Sequence, residues 1–250
     1  MPDDFYDQLG EGYDTAIDWD ERLVRESPFY RDMLARHGVQ SVLDTACGTG
    51  EHAALFASWG LEVVGADITA EMIAVCKRKY AGRPIEWVEA GFGETFGLLD
   101  RSFDAVTCLG NSWPHVLTDR LAASAAEDLA QLVRPGGVLV IQQLNYAAMR
   151  LRGERLMGPQ VRVIDGRETL FLRIFDLDRD PIRFTMVRMA KGAEGWTREE
   201  WETEHRAWSR EEMEGLLRGA GFAAVEFLGD FSRSRFEPET SDQMIVVAER

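Results

Sequence analysis

Short apolar runs alternate with stretches of helical periodicity through the first three-fifths of the chain. Ser41–Asp44, Glu62–Asp67, Ile85–Glu89, Phe103–Leu109 and Val138–Ile141 are compact hydrophobic segments bounded by turn residues. Strands buried on both faces read this way. Helical patterns fill the gaps: Glu51–Trp59, a run opening near Ala70 behind the N-cap candidate Thr69, and Asp119–Val133. Arg134-Pro135-Gly136-Gly137 closes the last of these, because proline and glycine do not continue a helix. Serial strand and helix units of this kind predict a parallel sheet with helices on both faces.

The pattern then switches to a period of two. Val161–Ile164, Leu170–Phe175, Phe184–Met189 and Trp201–His205 are β-like, with Asp165-Gly166 and Asp180-Pro181 as turns between them. An antiparallel meander is predicted. Helical periodicity returns at Ser209, an N-cap whose capping box is completed by Glu212, and runs to Arg218. Strands near Ala224–Leu228 and Met244–Ala248 close the chain. The whole reads as one domain. An N-terminal cap (1–40) precedes a seven-stranded, mostly parallel α/β core (41–150 and 208–250), and an antiparallel β lid (151–207) is inserted into that core.

Composition narrows the partners. With 28 Lys+Arg against 43 Asp+Glu, the net charge is −15. Such a surface repels phosphate backbones and anionic membranes, so neither nucleic acid nor a membrane is expected as partner. The N-terminal Met1-Pro2-Asp3-Asp4-Phe5-Tyr6 lacks the basic-then-apolar pattern of a signal peptide. Cys47, Cys76 and Cys108 are separated and lie in apolar segments, which suits reduced thiols in a cytoplasm. Neither they nor the four histidines have metal-ligand spacing, and no metal is expected. Oligomeric state is not legible, and a homo-oligomer stays open.

The chemistry concentrates in Val42-Leu43-Asp44-Thr45-Ala46-Cys47-Gly48-Thr49-Gly50. An acidic residue ends a strand, and Gly48 and Gly50 let the backbone turn tightly against a ligand. Dinucleotide sites use a related G-x-G-x-x-G, but Ala53 stands at the third glycine, which disfavours a nicotinamide-dependent oxidoreductase. Asp67 ends the next strand, where a carboxylate accepts hydrogen bonds from both hydroxyls of a ribose.

The Asp44–Gly50 turn resembles the cofactor loop of Rossmann-like methyltransferases that use S-adenosylmethionine. Three further stretches are similar to the glycine N-methyltransferase group: Phe103–His115 with its Leu109-Gly110-Asn111-Ser112, Val133–Ile141 followed by Asn145-Tyr146, and Leu228-Gly229-Asp230-Phe231. The resemblance implies a small-molecule methyltransferase acting at nitrogen. Arg22 would pair with the methionine carboxylate of the cofactor, as a guanidinium fork can meet both oxygens. Asp44, Ala46, Gly48 and Gly50 would form the cofactor turn, Asp67, Ile68 and Met72 its ribose and adenine side, and Gly91-Phe92 the adenine edge. Gly91 has no side chain for a polar contact there. Leu109 and Gly110 would pass beneath the sulfonium. Asn111 and His115 would carry the catalytic roles, near the substrate amine and the methionine end respectively. Tyr6, Tyr13 and Trp19 lie in the segment that folds over the cofactor in relatives, with Tyr13 a cofactor contact.

One departure stands out. The group places an arginine just before the Asn-Tyr pair to grip the substrate carboxylate, and here that position is Leu144. Glycine is therefore not expected as acceptor unless another cation, Arg150 or Arg173, replaces it. A small-molecule O- or C-methyltransferase, with His115 as base, and a non-catalytic S-adenosylmethionine-binding protein of the same fold remain the alternatives.

Overall fold

The computed structural model describes the backbone from residue 12 to 250 and the side chains from residue 14. A short helix α1 (Gly12–Thr15) leads into the long α2 (Trp19–Arg36), whose N-cap Asp18 accepts from the Glu21 amide at 3.0 Å. The core then runs β1 (Ser41–Thr45), α3 (Glu51–Ser58), β2 (Glu62–Asp67), α4 (Ala70–Lys79), β3 (Ile85–Glu89), α5 (Thr95–Leu99) and β4 (Phe103–Cys108). A 3-10 turn at Trp113–His115, α6 (Asp119–Leu132), β5 (Val133–Leu144) and α7 (Tyr146–Arg152) follow. After the inserted strands β6 to β9 come α8 (Arg210–Gly219), β10 (Ala224–Leu228) and β11 (Gln243–Glu249).

Seven strands form one sheet in the order β10-β11-β5-β4-β1-β2-β3. β1 to β5 are mutually parallel, and β11 runs antiparallel to both β5 and β10. Every residue of β4 is buried, as a strand covered by helices on both faces requires. One apolar layer joins α6 and α8 to the sheet through Leu129, Leu132, Met213 and Leu217. The other packs α2 and α3 on the opposite face through Phe29, Tyr30, Met33 and Phe56. Chain order reverses between β4 and β1, and ligands of open α/β sheets bind outside the carboxyl ends at such a point.

The predicted strands appear where the apolar runs lie, with one instructive difference. Arg134-Pro135-Gly136-Gly137 ends the helix but does not interrupt the sheet, because β5 already begins at Val133 opposite Phe103. The register shifts before Ala105 pairs with Val138, so the Pro-Gly-Gly run is accommodated as a bulge.

β6 (Leu156–Ile164), β7 (Arg167–Asp176), β8 (Ile182–Gly192) and β9 (Gly195–His205) make a separate four-stranded antiparallel sheet. It is longer at every strand than the period-two runs suggested. Asp165-Gly166 turns the β6–β7 hairpin with both residues at positive φ, the pair of conformations a tight hairpin asks for. Alternate residues give this sheet an inner face of Phe175, Phe184, Met186 and His205, while Glu200 and Glu202 of β9 face outward and are exposed. No described helix is long and apolar enough to cross a membrane.

Candidate functional site

Two cavities open at the carboxyl end of the parallel strands. The first, about 520 Å³, is walled by the β1–α3, β2–α4 and β4 turns, with the start of α2 across from them. The second, about 580 Å³, lies between α2, the ends of β5 and β11, and the inner face of the inserted sheet. Arg22 and Gly110 line both, so the cavities meet there.

In the first cavity the β1–α3 turn depends on Gly50, which N-caps α3 at φ +83°. A Cβ at that position would stand 2.6 Å from Trp87 Cη2, so both conformation and space demand glycine. Gly50 itself lies one step behind the wall that Asp44, Ala46 and Gly48 form. Asp67 ties the turn to β2: its Oδ2 accepts the Gly48 amide at 2.8 Å and its Oδ1 the Thr69 amide at 3.0 Å. A carboxylate oxygen has two lone pairs and can accept a hydroxyl beside an amide. Ile68, Met72, Gly91 and Phe92 line the far end. The missing Gly91 side chain has a packing reason, since a Cβ there would come 2.9 Å from Ile68 Cδ1.

Asp44 is the buried charge of the site. It is 1 % exposed; Oδ1 accepts from Thr107 Oγ1 at 2.7 Å, and Oδ2 has no hydrogen-bond partner. Burial raises its carboxyl to about 6, and the nearby Asp67 adds to the rise. A buried carboxylate with an unmet oxygen on a cavity wall suits a cationic ligand group.

Arg22 reaches the junction from α2, held by Glu26, whose Oε1 accepts Arg22 Nε at 2.8 Å. Glu26, itself 2 % exposed, also meets His52 Nε2 of α3 at 2.9 Å. Burial pushes the Glu26 carboxyl up, but His52 and Arg22 outweigh it and hold it below the ordinary carboxylate range. A Cβ on Gly110, which sits at φ +74°, would be 3.6 Å from Arg22 Nη2, placing the guanidinium directly over the β4 turn. The Glu26–His52 bracket escaped the sequence reading, because its members are distant in sequence and neither belongs to a motif. The i,i+4 spacing of Arg22 and Glu26 on α2 was the available signal.

The start of α2 is pinned onto the glycine turn. Asp14 accepts from Trp19 Nε1 at 2.9 Å and from Thr49 Oγ1 at 2.5 Å, and it pairs with Lys79. Trp19 thus lines the first cavity, as its place in the N-terminal segment suggested. Tyr6 and the side chain of Tyr13 lie outside the described residues.

Leu109, Gly110 and His115 all reach the first cavity, whereas Asn111 faces the second. Asn111 adopts φ +70°, and its amide is committed at both ends: Oδ1 accepts the Leu144 amide at 2.8 Å and Nδ2 donates to Tyr146 Oη at 2.9 Å. Asn111 therefore braces the cavity wall. Burial lowers the His115 imidazole to about 4. Its ring stands edge-on to His205 of β9, with centroids 4.6 Å apart. Leu144 lines the second cavity at the position where the arginine was missed, and Arg173 of β7 lines it too. Arg150 does not, since its Nε donates to the Leu177 carbonyl. Among the described residues no cluster of three or more His, Cys, Asp or Glu side chains could hold a metal.

Comparison with known proteins agrees with this geometry. A methyltransferase-domain family model matches residues 42–137. Glycine/sarcosine/dimethylglycine N-methyltransferase of Actinopolyspora halophila is 28 % identical over 95 % of this chain and 41 % of its own length. Glycine N-methyltransferase of Rattus norvegicus is 35 % identical over 56 % of this chain and 54 % of its own. The chain thus spans about half the length of these curated relatives. Among solved structures, the sugar N-methyltransferase KedS8 of a Streptoalloteichus species superposes with a TM-score of 0.75 at 25 % identity, covering 100 % of this chain and 94 % of its own. An S-adenosylmethionine-dependent methyltransferase of Clostridium acetobutylicum gives 0.75 at 16 % identity, covering 98 % of both chains.

The sheet order, the antiparallel β11 and the glycine turn at the switch point define a Rossmann-like methyltransferase fold. Within that class the chain is similar in sequence to glycine N-methyltransferases. S-adenosylmethionine is the cofactor of the class, and the residues present fit it. Asp44 offers an unmet carboxylate oxygen to a cation, Asp67 a hydroxyl acceptor, and Arg22 a guanidinium for a carboxylate.

Proposed function

We propose that the protein transfers a methyl group from S-adenosylmethionine to the nitrogen of a small amine larger than glycine. The observation that carries this reading is the pair of cavities meeting at Arg22 and Gly110. One has the features of a cofactor site, and the other is an acceptor-sized space walled on one side by the inserted sheet. When bound, S-adenosylmethionine supplies an electrophilic methyl group. The protein's part is to position donor and nucleophile and to keep water out. In this reading Asp44 and Asp67 hold the cationic and hydroxylated parts of the cofactor, Arg22 its carboxylate, and Gly110 leaves the passage between cavities open.

His115 argues for nitrogen over oxygen as the nucleophile. A general base serves best with a pKa near the working pH, and burial leaves this imidazole at about 4. A neutral amine carries its own lone pair and needs no base of that strength. Against glycine stands the size of the pocket: Arg173 offers a cation in place of the one missing at Leu144, but glycine would leave most of a cavity of about 580 Å³ unfilled. Phe175, Phe184 and Met186 on its wall favour an acceptor with apolar surface. KedS8, a sugar N-methyltransferase, acts on an acceptor of that larger kind.

Steady-state transfer of labelled methyl to glycine, sarcosine and a panel of larger amines and phenols is the test. Turnover on larger amines is expected. Efficient use of glycine alone would overturn the acceptor reading, and cofactor binding without transfer to any acceptor would favour a non-catalytic binding protein.

A further inference from the structure

The second cavity contains a buried imidazole that no step above uses. His205, at the end of β9, is 2 % exposed and lies on the cavity wall. Its Nδ1 lies 2.8 Å from Tyr146 Oη, and its Nε2 has no hydrogen-bond partner. Phe184 stacks on the ring at 5.0 Å with an interplanar angle of 13°.

The direction of every proton in this group can be deduced. The Leu144 backbone amide can only donate, so the Asn111 atom receiving it is Oδ1, and the amide orientation is fixed. Asn111 Nδ2 must then donate to Tyr146 Oη. The Tyr146 hydroxyl, already accepting, has one proton to give, and among the described residues His205 Nδ1 is the acceptor within reach. His205 Nδ1 therefore carries no proton, and Nε2 does. Burial supports the same state: it drives the imidazole well below its ordinary range, and His115 beside it adds to the effect, so the ring is neutral. The relay from Asn111 through Tyr146 thus presents one fixed N–H donor. Buried polar groups in folded proteins are paired almost without exception, so an orphan on a cavity wall calls for a ligand.

We propose that His205 is a specificity-determining residue of the acceptor pocket, its Nε2–H donating to a hydroxyl, ether or carbonyl oxygen carried by the amine substrate. The acceptor is accordingly an oxygen-bearing amine, a finer statement that rests on the amine-methylation reading above. Gln160, on the same wall from β6, has a buried Oε1 that also lacks a partner and would accept from a hydroxyl. A donor and an acceptor left unmet on the wall of one pocket match a hydroxylated substrate better than a plain alkyl amine. Sites built to bond a substrate hydroxyl discriminate strongly against the analogue that lacks it.

The experiment pairs amines that differ only in that oxygen, 2-aminocyclohexanol with cyclohexylamine and 2-aminoethanol with ethylamine. Methyl transfer is measured for the wild type, His205→Phe and His205→Gln, with S-adenosylmethionine affinity by titration calorimetry as the control of folding. The wild type is expected to favour the hydroxylated partner at least 10-fold in kcat/KM, on the scale of hydroxyl discrimination. His205→Phe keeps the ring stacked on Phe184 and should erase that preference. His205→Gln, which restores an N–H near the Nε2 position, should recover part of it. An equal ratio in the wild type, or a ratio that survives His205→Phe, overturns the proposal. Should no amine be methylated while the cofactor still binds, the amine reading fails first, and ¹⁵N NMR of the histidines then decides on His205 itself. An Nε2-protonated neutral ring whose resonance shifts on adding 2-aminocyclohexanol, and not cyclohexylamine, sustains it. An Nδ1-protonated ring, or no selective shift, rejects it.

Discussion

The two cavities that meet at Arg22 and Gly110 are built by different means. The first is made largely of turns in one stretch of chain, between 44 and 121, with backbone amides and glycines setting its shape. The second gathers side chains from α2, the ends of β5 and β11, and all four strands of the inserted sheet. A site built into the turns of the core sheet is tied to the fold and serves one ligand. A site made of side chains on a separate sheet can change its ligand without disturbing the fold. On the proposed reading, cofactor and acceptor divide along that line, and perturbations of the first cavity should strike harder than perturbations of the second.

The largest effect is expected at the glycine turn. Gly50→Val forces a β-branched residue into φ +83° and drives Cβ to 2.6 Å from Trp87. The left-handed conformation costs about 1–2 kcal/mol and overpacking about 1–3 more, for a loss of about 2–5 kcal/mol in urea denaturation. A variant as stable as the wild type would mean that the turn tolerates side chains and that the backbone does not shape this cavity.

Next comes acid sensitivity at the junction. His115 is held near 4 by burial, against 6.5 for the free side chain. Its lowered pKa stabilises the fold fully above 6.5, and that contribution is lost as the pH falls from 6.5 towards 4. At 1.36 kcal/mol per pH unit this is about 3 kcal/mol, with His205 adding in the same direction. Asp44, whose carboxyl burial raises to about 6, works the other way over the same range, so the readout is the difference between the wild type and His115→Gln. Denaturation at pH 7.5, 6 and 5 should show the wild type losing more stability than the variant, and parallel profiles would place the His115 ring in contact with water.

Much of this contrast was legible before any coordinates. The Asp44–Gly50 turn, Asp67 and the Leu109-Gly110 stretch announce themselves because each is local: a strand end followed by residues whose backbone freedom or charge has one use. Ser209 with Glu212 likewise forms the predicted capping box in both directions. The inserted sheet was legible as a meander, yet its inner wall was not. Whether Arg173 or His205 faces inward depends on register against neighbouring strands, and the sequence alone leaves that register open. Glu26 and His52 were missed for the same reason, their partnership existing only once α2 packs on α3.

A smaller effect is expected from the ribose carboxylate. Asp67→Ala removes a charged acceptor and the brace on the Gly48 amide. S-adenosylmethionine should bind about 1–3 kcal/mol more weakly, the range for hydrogen bonds to charged groups, as read by titration calorimetry. An unchanged dissociation constant in a folded variant would remove Asp67 from the cofactor site.

The smallest effect tests whether the inserted sheet acts as a lid. Arg162 of β6 reaches across to the α2 N-cap, its Nη2 3.2 Å from Asp18 Oδ2. The two side chains are 30 % and 41 % exposed, so water screens the pair, and its worth is about 0.2–1 kcal/mol. Arg162→Ala should leave overall stability and cofactor affinity within about 0.5 kcal/mol of the wild type, because the capping bond from Asp18 to the Glu21 amide survives. What it loosens is the closure of the inserted sheet on α2, the element that walls the second cavity. The KM for the acceptor should therefore rise by about 2–5-fold, the factor that up to 1 kcal/mol allows. Raising the salt concentration should produce the same rise in the wild type and little in the variant, since the attraction being screened is already gone. Asp18→Ala serves as the contrast, adding about 1 kcal/mol of lost capping to the lost latch. If Arg162→Ala weakens cofactor binding and spares the acceptor, the inserted sheet serves the first cavity, and the division of labour between backbone and side chains would have to be redrawn.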